Sequence, residues 1–186
     1  MRLFVALELP ESHRASLAGV CERGRRGGVR WVPAENVHLT LKFLGEVDEG
    51  LVPDLEAALA AVAGAARPFA LALEGGGCFP NARSPNVIWV GVAEGAEEAG
   101  RLAGEVERAL GPLGFAPEKR RFRSHLTIGR PKEPRAGAAT TAEKIAQLKG
   151  YRASPAEVRA LALIKSTLTP EGAVYDVVRR FELAGD

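Results

Sequence analysis

The chain has 186 residues, of which 46% are apolar and 26% charged, an ordinary globular composition that excludes a disordered segment, a collagen-like fibre or a membrane protein. That length has room for one compact domain, or for two lobes sharing a core. A formal charge of +2 is too small for a protein built to coat nucleic acid, but it leaves room for a local phosphate site.

Residues 2–9 read as a first strand. The run contains Glu8 and stops at Pro10, so it is neither a signal peptide nor a membrane span. Pro10-Glu11-Ser12 opens a helix whose Leu17, Val20 and Cys21 recur at helical spacing. RGRRGGVR then breaks it, with Arg23, Arg25, Arg26 and Arg30 as a cationic cluster, before a strand over Val37 to Phe43. The spacing predicts a helix over 51–65, a strand over 69–73, and a loop at Gly75-Gly76-Gly77. A buried strand over 87–92, an amphipathic helix over 97–110 and a strand over 121–128 follow. Residues 131–140 read as a loop and 141–148 as a short helix. A β-hairpin closes the chain, its arms at 158–168 and 174–183 and its turn at Pro170-Glu171-Gly172. Strands adjacent in sequence near the C-terminus favour an α+β fold with antiparallel sheets over a doubly wound parallel sheet. No phosphate-binding loop of the G-x-x-x-x-G-K-[ST] type and no G-x-G-x-x-G after a strand is present.

Cys21 and Cys78 form neither a CxxC pair nor a disulfide framework; they read as free, buried or half-buried thiols, suited to a reducing cytoplasm. The three histidines carry more information. In the strand VHLTLKF, alternation puts Val37, Leu39 and Leu41 on one face and His38, Thr40 and Lys42 on the other. In FRSHLTI it puts Phe122, Leu126 and Ile128 on the apolar face and Arg123, His125 and Thr127 on the polar one. A lone histidine in a strand is more often structural than catalytic. With six threonines in 186 residues, however, a threonine two places after a given histidine arises by chance in about 3% of cases, and here it occurs twice. Two histidines without HExxH, a cysteine cluster or a third ligand make a poor zinc set. An in-line displacement at phosphorus needs a base beside the attacking oxygen and an acid beside the leaving one, duties that a neutral and a protonated imidazole can fill, with hydroxyls for the non-bridging oxygens, and such a site works without a metal.

His38-Leu39-Thr40-Leu41 and His125-Leu126-Thr127-Ile128 resemble the paired HxTx motifs of the 2H phosphoesterase superfamily. The similarity extends to Arg2-Leu3-Phe4-Val5-Ala6, Trp31-Val32 to Gly45, Phe79-Pro80 before Val87-Ile88-Trp89-Val90-Gly91, and Ser166-Thr167-Leu168 with Gly172 and Tyr175. Those surroundings look like its RNA 2',3'-cyclic phosphodiesterase branch, also called 2'-5' RNA ligase. The resemblance implies a single bilobal α+β domain over 1–186, with antiparallel sheets, pseudo-two-fold symmetry and one motif per lobe at a central cleft. It implies His38 as proton donor, His125 as proton acceptor, and Thr40 and Thr127 as phosphate holders. The implied reaction is hydrolysis of a terminal ribose 2',3'-cyclic phosphate to a 2'-phosphate, with reversible 2'-5' ligation when an RNA 5' hydroxyl takes the place of water as nucleophile.

Arg130 and Phe43 each lie five residues after a motif histidine and match residues usual in that branch. Arg130 is a candidate phosphate contact. Phe43 reads first as a core residue, with stacking on a base as its functional alternative. Lys42 and Arg123 are substrate-contact candidates because they share a face with the motif histidines. Lys119, Arg120 and Arg121 join the arginines of 23–30 as a possible RNA-steering surface, and His13 reads as a surface histidine. No metal or cofactor is expected, no membrane contact, and a cytoplasmic monomer. The competing readings are a non-catalytic RNA-end or nucleotide-binding module, and a phosphodiesterase of small cyclic nucleotides.

Overall fold

The computed structural model describes residues 1–23, 28–132, 138–170 and 172–185. Arg25, Arg26 and the side chain of Arg23 lie outside that description, as do residues 133–137 of the expected loop and Glu171 of the expected turn.

The described elements are β1 (Arg2–Leu7), α1 (Glu11–Arg23), β2 (Val29–Trp31), β3 (Leu39–Glu46), α2 (Val52–Ala65), β4 (Phe69–Phe79), β5 (Val87–Val92), α3 (Ala96–Leu110), β6 (His125–Pro131), α4 (Ala138–Leu148), β7 (Arg152–Val158), β8 (Ala160–Thr169) and β9 (Gly172–Glu182). They form a four-stranded sheet ordered β3-β1-β8-β9 and a five-stranded sheet ordered β2-β6-β5-β4-β7. Every strand pairing is antiparallel, so the α+β expectation holds. No helix among the described residues is long and apolar enough to cross a membrane.

The two sheets exchange strands along the chain. β2, β4 and β5 precede the midpoint yet sit in the five-stranded sheet, while β8 returns to flank β1 in the four-stranded one and brings β9 beside it. The sheets approach each other along β3 and β6, the strands that carry the two motifs. One continuous apolar core runs under both, from Leu3, Val5 and Leu7 through Leu55, Leu59 and Val106 to Ile88, Leu126 and Ile128. The helices supply this core because their apolar residues recur at helical spacing: Ala99, Leu102, Ala103, Val106 and Leu110 line the buried stripe of α3. Each fully buried leucine there contributes about 1.5–3 kcal/mol.

Two expectations about local structure fail for identifiable reasons, and one strand is unforeseen. The triple glycine is not a loop; it lies inside β4, which runs on to Phe79. Gly75, at φ +66°, takes up the break in register between Leu73 and Gly76, and a Cβ on Gly77 would stand 2.6 Å from the Trp89 ring. Glycine is required there by the close approach of an aromatic side chain, which looks identical to a loop signal in sequence. β7 has no strand signal, because its residues, RASPAEV, contain proline and little apolar surface; it lies at a sheet edge, where proline is tolerated. His13 is buried, with 1% of its surface exposed, and its Nε2 lies 2.9 Å from the Ser154 carbonyl of β7. The face of α1 that carries His13 packs against the strand that the sequence does not reveal.

Lys42 also departs from expectation. It is 2% exposed, and its ammonium donates to Glu107 of α3 at 3.1 Å and to the Ala116 carbonyl at 2.8 Å. The same Glu107 oxygen accepts the backbone N–H of Glu118 at 2.9 Å. Lys42 therefore ties β3 to α3 and to the segment that leads into β6. Replacing Glu107 by alanine leaves a buried ammonium with one carbonyl partner, and a loss of about 3 kcal/mol in unfolding free energy is expected. Lys42→Met, which removes the charge and keeps the volume, is expected to cost much less. Urea denaturation of the two variants checks the ordering; equal losses would mean that the charge pair is not what anchors this corner.

Candidate active site

His38 stands immediately before β3, after a short 3-10 turn at Ala34–Asn36. Its Nδ1 lies 2.8 Å from the Asn36 carbonyl, two residues back. His125 opens β6, with Nδ1 2.7 Å from the Arg123 carbonyl, again two residues back. A carbonyl oxygen only accepts, so in both rings Nδ1 carries the proton and Nε2 is the nitrogen left for chemistry. The two motifs thus share a tautomer as well as a sequence.

Each ring is wedged against aromatic side chains. His38 sits 4.6 Å from the Phe4 ring and 5.2 Å from the Tyr175 ring, edge-on to the latter. His125 meets Phe79 edge-on at 5.1 Å, and Phe79 stacks on Trp89 at 5.3 Å. Phe4, Tyr175, Phe79 and Trp89 have no site role legible in the sequence. They come from neighbouring strands, and only the pairing brings them under the histidines. Burial lowers the pKa of His38 below its ordinary value, partly offset by the bond to the Asn36 carbonyl.

The strands then do the same unexpected thing. Opposite β1, Ala6 pairs with Thr40 but Val5 pairs with Lys42, so Leu41 is an extra residue. Opposite β5, Trp89 pairs with Thr127 but Ile88 pairs with Gly129, so Ile128 is extra. Each strand carries a one-residue bulge at the position after its threonine, and a bulge reverses the facing of the residues that follow it, in β3 as far as a second register shift at Leu44. Directly opposed residues share a face. Lys42 consequently joins Val5 on the core face, and Phe43 joins Phe4 on the histidine face. This corrects two readings at once: Lys42 is an internal ion-pair residue, and Phe43 is not core but 61% exposed, with its ring 5.9 Å from Phe4.

The same reversal puts Gly129 against Ile88 and turns the exposed Arg130 onto the face of Thr127. Arg123 is exposed, with its guanidinium carbon 5.3 Å above the Phe79 ring that supports His125. Lys119, Arg120 and Arg121 are exposed just before it. The structure therefore gathers His38, Thr40 and Phe43 on one motif strand and His125, Thr127 and Arg130 on the adjoining one, with Arg123 beside them, and removes Lys42. Among the described residues no cluster of three or more His, Cys, Asp or Glu side chains is arranged to hold a metal ion.

Residues 7–89 and again 90–175 match the model of the LigT like Phosphoesterase family, one motif falling in each match. The chain belongs to that family. It is 40% identical to an RNA 2',3'-cyclic phosphodiesterase of Archaeoglobus fulgidus over 98% of its own length and all of the relative's. The crystal structure of TT0787 of Thermus thermophilus superposes over the whole of both chains with a TM-score of 0.84 at 32% identity. That of E. coli LigT complexed with 3'-AMP does so with a TM-score of 0.73 at 25% identity, covering 98% of this chain and 97% of that one. The resemblance drawn from the two motifs is confirmed at the level of family and fold.

Because Trp89 lies opposite Thr127 and across Gly77, the glycine supports the site from below. Gly77→Ala forces the ring aside, and a destabilisation of about 1–3 kcal/mol is expected from overpacking, with a change in the near-ultraviolet circular dichroism of tryptophan. An unchanged midpoint and an unchanged tryptophan spectrum would show that the ring does not depend on the glycine.

Proposed function

We propose that the chain is an RNA 2',3'-cyclic phosphodiesterase that opens a terminal ribose 2',3'-cyclic phosphate to a 2'-phosphate by acid-base catalysis between His38 and His125. What carries the reading is the pairing of two adjoining strands with the same bulge and the same Nδ1–H tautomer, in a chain whose relative of the same length is named for that activity.

In the forward direction water attacks phosphorus opposite the ring oxygen that leaves. His125 Nε2 takes the proton from the water as the new P–O bond forms. His38 Nε2–H gives its proton to the 3' oxygen as the old P–O bond breaks. The hydroxyls of Thr40 and Thr127 donate to the non-bridging oxygens, where charge accumulates. Attack by an RNA 5' hydroxyl on the same ring, with the same acid and base, is the corresponding 2'-5' ligation, and bulk water favours hydrolysis. Phe43 offers an exposed aromatic face to a base, and Arg130 and Arg123 supply cations to the backbone. The enzyme acts as a monomer in the cytoplasm, without a metal.

Assigning the donor role to His38 has a consequence for pH. Burial lowers its pKa, so near neutrality the free imidazole is uncharged, and the incoming phosphate anion favours its protonation. The basic limb of the kcat/KM profile, which reports the acid in the free enzyme, is therefore expected below 6.5, the ordinary histidine value. His38→Ala is expected to flatten that limb, and His125→Ala the acidic one. Each variant loses at least about 100-fold in kcat/KM while remaining folded by far-ultraviolet circular dichroism, and full wild-type activity survives EDTA. Near-wild-type turnover in either variant, or a 3'-phosphate product on end-group analysis, would overturn the mechanism. Loss of the acidic limb in His38→Ala would exchange the two roles.

A further inference from the structure

The bond from His125 Nδ1 to the Arg123 carbonyl fixes one ring nitrogen but leaves the imidazole free to pivot about that bond, because the χ2 well of histidine is broad. A base whose Nε2 must meet an attacking oxygen within hydrogen-bond reach needs a second contact that does not lie on the same line. The cross-strand neighbour does not supply it. Gly91 lies directly opposite His125, and a Cβ there would stand 2.7 Å from the Glu74 carbonyl and 3.5 Å from the Trp89 ring. Among the described residues the one aromatic ring that meets His125 is Phe79, edge-on at 5.1 Å with 89° between the planes.

Strand pairing alone does not bring these two rings together. Phe79 lies on β4 opposite Val87, whereas His125 lies opposite Gly91, further along β5. The phenyl covers that span by lying over the indole of Trp89, with 5.3 Å between centroids and 29° between planes. The indole rests in turn against glycine: a Cβ on Gly77 would stand 2.6 Å from it. The Arg123 guanidinium also lies over the Phe79 ring, 5.3 Å from its centroid. The indole N–H is buried without a hydrogen-bond partner, a cost that a phenyl at position 89 would not carry. Hydrogen bonding therefore does not explain the tryptophan. Its length does, since the ring reaches from Gly91 on its own strand to Gly77 on β4 and gives Phe79 a flat support on the way to His125.

We propose that Phe79 is a positioning residue for the base: resting on Trp89, it fixes the plane of the His125 imidazole and hence the direction of Nε2. The role of the base rests on the cyclic phosphodiesterase reading above; the hold on the ring does not. The test uses a nucleoside 2',3'-cyclic phosphate as substrate. Phe79→Leu, which keeps an apolar side chain but removes the ring, is expected to lower kcat by roughly 10–30-fold, the scale of a small misplacement of a reacting group, with KM changed less than about twofold. Phe79→Tyr, which keeps the ring, is expected to retain most of kcat. Trp89→Phe shortens the support and is expected to lower kcat in the same sense, and the double variant with Phe79→Leu to fall no further than Phe79→Leu alone, because the indole acts through the phenyl. In proton NMR of the free enzyme the His125 ring signals, assigned by their absence in His125→Ala, are expected to move in Phe79→Leu and to stay in place in Phe79→Tyr. Equal kcat losses in the leucine and tyrosine variants, a loss carried by KM, or unmoved His125 signals in Phe79→Leu overturns the positioning role and leaves the function standing. Additive losses in the double variant remove Trp89 from it. A wild type that did not open the ring would overturn the function, while the NMR comparison would still decide whether Phe79 holds the imidazole.

Discussion

The site depends on one backbone irregularity used twice. In a regular strand the residues after Thr40 and Thr127 would continue the alternation, and Lys42 and Gly129 would share the histidine face. One extra residue directly after each motif threonine reverses this. Lys42 turns inward to meet Glu107, Gly129 turns inward under Trp31, and Phe43 and Arg130 turn outward. A bulge also increases local twist, at the place where the two motif strands come together. The cost of interrupting two ladders is met because the reversed residues are accommodated: a lysine with a carboxylate and a carbonyl, and a glycine where no side chain fits.

Strand exchange makes this geometry hard to loosen. Each motif strand is held in a sheet partly built from the other half of the chain, β3 through β1 by β8 and β9, and β6 by β2, and through β5 by β4. The family match falls as two copies, yet neither copy closes a sheet without strands from the other. A pair of lobes drawn as consecutive halves of the chain would leave β1 without β8 and β5 without β6. The shared core makes the same point, since Leu3, Leu55, Ile88 and Leu126 belong to one cluster. The relative placement of the histidines is therefore fixed by the global fold and by no single loop.

The two halves of the site are alike in chemistry and unlike in surroundings. Both imidazoles are oriented by the carbonyl two residues back, a bond that any histidine at the start of a strand can make locally. Their aromatic supports differ: Phe4 and Tyr175 enclose His38, whereas Phe79 supports His125 and carries the Arg123 guanidinium over its ring. The desolvation that lowers the pKa of His38 follows from that enclosure.

The sequence by itself determined the class of fold, most helices and strands, the pairing of the two motifs, and the family, because those signals are local: a period of two or of 3.6, a turn residue, a histidine and threonine one pleat apart. It also carries a signal for His13 that a surface reading passes over. His13, Leu17 and Cys21 recur every four residues along α1, which marks His13 as part of a buried stripe. What the tertiary structure alone decided is which side chains beyond each threonine face the site. Alternation predicts facing only while the pleat is unbroken, and whether a strand bulges is settled by its pairing with β1 or β5, which lie distant in sequence. For the same reason the triple glycine reads as a loop, since the feature that demands glycine is Trp89 on another strand. Lys42 and Phe43 exchanged roles because a single added residue at Leu41, invisible to composition and spacing, changes the face of the residues that follow it.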